Sequence, residues 1–182
     1  MKRALFEEER VSDMTLNNDA LVKKDRFRVT KNKLSANLIL LAIVANALYF
    51  VSIYSSDVGR YYYAIFIGAS VVYNLVFMLA AFLSSEGVKS YKMGYSFISI
   101  VLGILQIVRI FYIPMKAWKE PNPVLEAVNP TVMTDGQFRY VAICLTASAV
   151  LLVLAGIVGI IKTATLNSYQ AELDKKTRGS KS

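Results

Sequence analysis

Four stretches of this chain, 35–54, 62–83, 93–113 and 140–161, are apolar and nearly free of charge, and polar segments separate them. Each is about as long as the ~20 residues needed to cross a hydrocarbon core of ~30 Å at ~1.5 Å per residue. A soluble domain would interrupt its apolar residues at helix or strand period instead. The pattern predicts an all-α, polytopic membrane protein, a bundle of four transmembrane helices. Residues 1–34 form a basic N-terminal segment, 35–161 the four-helix membrane domain and 162–182 a basic tail.

Within the spans, polar and small residues recur at helical spacing. In the first, Ser35, Ile39, Ala42, Asn46, Tyr49 and Ile53 share a face. In the second, Ser70, Asn74, Phe77 and Ala81 do so, and in the third Ser96, Ser99, Gly103 and Gln106. Such faces are expected to look inward, and small residues let helix backbones approach closely. Ser99 and Gly103 in the third span, and Ala155 and Gly159 in the fourth, are candidates for that packing, while Thr146 and Ser148 lie nearer the other end of the last span. Asn46, Asn74 and Gln106 each donate and accept hydrogen bonds. They are expected to form an intramembrane polar layer that fixes helix register, or else a polar path for a substrate.

The connections differ in kind. Segment 84–92, SSEGVKSYK, is short enough to make an antiparallel hairpin of spans two and three. Segment 114–139 is the longest, and it holds all four prolines, Pro114, Pro121, Pro123 and Pro130. Proline density predicts a stiffened, partly extended loop there.

Charge sets the expected orientation. The chain carries a net charge of +8. Sixteen Lys and Arg fall in 1–33, 84–92 and the tail from Lys162, against four in the other two loops. The excess of basic residues on the cytoplasmic side of membrane proteins then places both termini in the cytoplasm, with the plasma membrane as the expected location. Lys23, Lys24, Arg26, Arg28, Lys31 and Lys33 form a basic cuff before the first span, suited to anionic lipid headgroups rather than to nucleic acid.

One charge lies inside a span, Arg109. A charge at that depth is expensive and often marks function. Its position four residues before Ile113 allows it to snorkel to the outer headgroups. It could instead contact an anion, a partner, or a loop carboxylate, for which Asp57, Glu120 and Asp135 are the candidates.

The absences narrow the function further. The chain has no histidine and one cysteine, Cys144, and no Asp or Glu lies in any span. A catalytic triad, a typical zinc, copper or haem site, and an intramembrane proton relay all need groups that are missing. No phosphate-binding or dinucleotide fingerprint is present. No enzyme activity, metal or cofactor is expected. The role these features point to is a small non-catalytic membrane subunit that assembles with another integral membrane protein or with itself. The alternative is a homo-oligomeric channel or carrier component with an Asn/Gln-lined path and a preference for anions.

Overall fold

The structure, a computed structural model, describes residues 31–55, 69–121 and 131–179, with side chains described as far as Glu172. These residues are helical apart from short turns and one isolated β-bridge between Pro121 and Thr131. The helices are α1 (Lys33–Tyr54), α2 (Ala69–Lys89), α3 (Met93–Tyr112), the short α4 (Pro114–Lys119) and α5 (Asp135–Gly179). Four of them are long and apolar enough to cross a membrane, the third counted with α4 as Met93–Lys119.

The side chains are distributed as lipid, not water, would have them. Large apolar residues such as Leu41 and Val51 of α1, Leu75 and Leu79 of α2, Val101 of α3 and Ile143 of α5 are exposed. Asn46, Asn74, Gln106, Arg109 and Ser148 are buried. In hydrocarbon an unpaired polar group costs several kcal/mol, so polar groups seek one another while leucine is at home outside. Four apolar helices with this inverted pattern suggest a multi-pass integral membrane protein.

The chain divides into two compact units, 32–161 and a second made of 1–31 with 162–182. In the second, the described residues are Lys31 and the stretch of α5 from Lys162 to Gly179.

Local chemistry sets the helix ends. Asn32 caps α1: its Oδ1 accepts from Ser35 N at 3.4 Å and its Nδ2 donates to Ser35 Oγ at 2.9 Å. Its own N–H reaches Lys89 O at the far end of α2, 3.1 Å away. Helix α2 runs on to Lys89, so most of the expected 84–92 loop is helix. Packing explains this extension, because Ser84, Ser85, Gly87 and Val88 are buried, and Ser85 Oγ donates to Ala36 O at 3.2 Å. The turn that remains is closed by Lys92 N–H to Gly87 O and Tyr91 N–H to Val88 O, both 3.1 Å. Tyr91 adopts φ 56° there, the left-handed conformation that turns Lys92 N–H back onto Gly87 O.

The described parts of the proline-rich connection, 114–121 and 131–139, hold helix and paired backbone rather than extended chain alone. Pro114 stands in the first turn of α4, where its missing N–H costs nothing. Beyond it, Val132 N–H bonds Glu120 O at 2.9 Å and Met133 N–H bonds Ala117 O at 3.2 Å. Helix α5 begins at Asp135 rather than 140, after a capping box. Thr134 Oγ1 accepts from Gln137 N at 3.3 Å, and Gln137 Oε1 accepts from Thr134 N at 3.1 Å. Residues 62–68 of the expected second span and 122–130 of the loop lie outside the described residues.

Candidate functional site: a buried arginine over an amide layer

Helix–helix approach creates the site. Ser99 Oγ donates to Leu152 O at 2.8 Å, pulling α3 onto α5. A Cβ on Gly103 would stand 3.0 Å from Ala149 O and 2.8 Å from Val153 Cγ2, so only glycine lets the backbones meet here. Gly159 likewise leaves room for Ser96 Oγ, and Ala155 is fully buried.

At this contact the amides of three helices meet. Asn46 Nδ2 on α1 donates to Asn74 Oδ1 on α2 at 3.0 Å. Gln106 Nε2 on α3 donates to Asn46 Oδ1 at 2.9 Å and to Ser148 Oγ on α5 at 3.2 Å. Ser148 Oγ in turn donates to Ala42 O on α1 at 3.0 Å. One connected layer therefore ties α1, α2, α3 and α5 together. Interhelical bonds of this kind average ~0.6 kcal/mol each in folded membrane proteins.

Arg109 sits one turn from Gln106 on α3 and is only 5% exposed. It turns into the layer rather than outward to headgroups, a correction to the snorkelling expectation. Its Nη1 donates to Asn74 Oδ1 at 2.9 Å and to Asn46 Oδ1 at 3.3 Å. The guanidinium carbon lies 4.4 Å from the Tyr49 ring centroid and 4.9 Å from that of Tyr73. Two aromatic faces, worth ~2 kcal/mol or more each when desolvated, thus stand where a carboxylate would be expected. Among the described residues no carboxylate pairs with Arg109. Asp135 instead accepts from Trp118 Nε1 at 2.7 Å, and Asp57 lies outside the described residues.

The layer is not fully satisfied. Arg109 Nε, Asn74 Nδ2 and Gln106 Oε1 are buried with no hydrogen-bond partner among the described residues. Buried polar groups are almost always paired, so three orphans around one cation ask for an explanation. Beside Arg109, between α2 and α3, lies a cleft of about 340 Å³. Ser70, Tyr73, Leu105, Val108, Arg109 and Tyr112 line it. Its walls are aliphatic and aromatic, with Arg109 as the charged group.

Sequence reasoning named Asn46, Asn74, Gln106 and Arg109 but not Tyr49, Tyr73 or Ser148 as parts of one site. Of the basic cuff, Lys31 and Lys33 are exposed, and Lys23, Lys24, Arg26 and Arg28 lie outside the described residues. Among the described residues no three His, Cys, Asp or Glu side chains gather as metal ligands would. Compared with protein-family models, with curated proteins and with solved structures, the chain matches none.

Proposed function

We propose that the chain is a non-catalytic subunit, a four-helix bundle with both termini in the cytoplasm, which assembles with another integral membrane protein. The cross-helix polar layer carries this reading. Its amides and Ser148 bond chiefly to one another, and the chain offers no histidine and no carboxylate within its spans to cut a bond or relay a proton. The surfaces open to a partner are the apolar helix faces and the capped end formed by α4 and residues 131–135. The excess of basic residues at the termini and in the 84–92 turn supports the orientation and the plasma membrane as location.

Purification from the native host in mild detergent tests the proposal. A complex of fixed stoichiometry with one other membrane protein, weakened by an exposed-face change such as Ile143→Glu, is the expected result. A stable monomer that carries no partner would refute it.

A second reading rests on Arg109. Among the described residues no carboxylate stands beside this cation, which favours anions, so an oligomer of this chain could conduct them. Anion flux in liposomes that Arg109→Gln abolishes would favour this reading over the subunit role.

A further inference from the structure

We propose that the cleft between α2 and α3 binds an anionic phospholipid. Its phosphate would meet Arg109, and an acyl chain would lie along Leu105 and Val108. This inference does not depend on whether the chain has a protein partner.

Charge complementarity carries it. Arg109 is a fixed cation, 5% exposed, with its Nε unpartnered among the described residues and its Nη1 held by two neutral amide oxygens. Amides orient the guanidinium and leave its charge uncancelled. Arginine presents its donors in a planar fork that matches phosphate oxygens, and such charge-assisted bonds are roughly twice as strong as neutral ones.

Depth selects a lipid over a buried solute. Arg109 lies three residues from Tyr112, the end of α3, or about 4.5 Å along the helix at ~1.5 Å per residue. Tyrosines commonly mark the level where headgroups meet acyl chains. Tyr54, Tyr73 and Tyr112 gather at this end, where Tyr54 OH and Ser70 Oγ are 2.9 Å apart.

Shape agrees as well. Val108 is 51% exposed, and Leu105 and Tyr112 are exposed beside it, so the cleft opens on the apolar flank of the protein. A soluble anion would have to cross hydrocarbon to enter from that flank, whereas a lipid can slide in sideways.

Native mass spectrometry of the full chain, released from micelles holding equal phosphatidylglycerol and phosphatidylcholine, provides the test. The basic segment 23–33 also attracts anionic lipid, so the readout is the difference between wild type and variants that fill the cleft. Val108→Trp and, from a second position, Leu105→Trp both alter exposed residues outside the amide layer. Each should fold and melt like wild type yet lose one retained phosphatidylglycerol, with the preference over phosphatidylcholine at that site falling about tenfold. Arg109→Lys should lose part of it.

Unchanged retention in both folded tryptophan variants would overturn the proposal. So would displacement of the lipid by millimolar inorganic phosphate, since the site would then take the free anion. Asp57→Asn distinguishes the remaining occupant, because the 56–68 segment joins α1 to α2 at this end. Unchanged retention in that variant supports the lipid, and a marked rise would show that this chain's own carboxylate occupies the cleft.

Discussion

Arg109 Nη1 donates to Asn74 Oδ1 at 2.9 Å, and the same oxygen accepts from Asn46 Nδ2 at 3.0 Å. Arginine has only donors, so both asparagines must turn their oxygens toward it, which leaves Asn74 Nδ2 without a partner among the described residues. Asn74→Asp therefore removes a donor that is not used and sets a carboxylate against a buried cation. The ion pair must offset the desolvation of the new charge, and here one partner is already desolvated. Asn74→Asp should hold or raise thermal stability, by up to about 1–2 kcal/mol, while Asn74→Leu should lose about 1–3 kcal/mol by stranding Arg109 and Asn46. Melting of both variants in one detergent checks the opposite signs, and a fall in both would mean that the guanidinium is neutralised elsewhere.

This arrangement was partly legible in the sequence. The run Ser96, Ser99, Gly103, Gln106 marks the inward face of α3, and one further step of three reaches Arg109. Extended by that step, the period alone places the arginine inside the protein. The snorkelling expectation came from depth, which says how near a side chain is to the surface but not which way it faces. Tyr49 stands on the expected inward face of the first span and Tyr73 near the middle of the second, but neither position says that two rings close on one cation, which only three-dimensional placement shows. Thr134-x-x-Gln137 is a readable signal for the start of α5, set inside a segment whose prolines otherwise signal loop.

The box that starts α5 gives a second prediction. Thr134→Ala removes the acceptor for Gln137 N and half of the reciprocal pair. N-cap losses cost ~1 kcal/mol, mostly in the first turn. Hydrogen exchange of the 135–138 amides should accelerate several-fold, with little change in the amides around Leu152. Uniform acceleration along α5 would instead mean that the cap holds the whole helix.

Close packing of α3 on α5 gives a third. Gly103→Val puts a branched side chain where even a Cβ would meet Ala149 O at 3.0 Å, and overpacking of that sort costs ~1–3 kcal/mol. The same change would pull apart Ser99 and Leu152 four residues away. Gly94 has nothing within 4 Å of its would-be Cβ, so Gly94→Ala is the matched control. It should be neutral or stabilising by up to ~1 kcal/mol, because alanine loses less backbone freedom in a helix. Equal destabilisation by both would show that helix propensity, not the interface, decides.

Cys144 offers a built-in probe of the capped end. It is 8% exposed, in a cluster with Tyr49, Ile53, Ala117, Met133, Val141 and Leu145. Its cover comes from the connection: Met133 is fully buried and is tied by its N–H to Ala117 O at 3.2 Å on α4. A thiol reagent must wait for this cover to lift, so maleimide should label the native protein at least tenfold more slowly than the denatured one. Met133→Ala leaves a cavity over the thiol and removes a packed side chain, at a cost of ~2–5 kcal/mol. If α4 and residues 131–134 open as a local unit, labelling should speed up in this variant while the melting of the long helices barely moves. If labelling and melting change in proportion, the cap and the helices unfold together, and the connection belongs to the same cooperative unit as the amide layer.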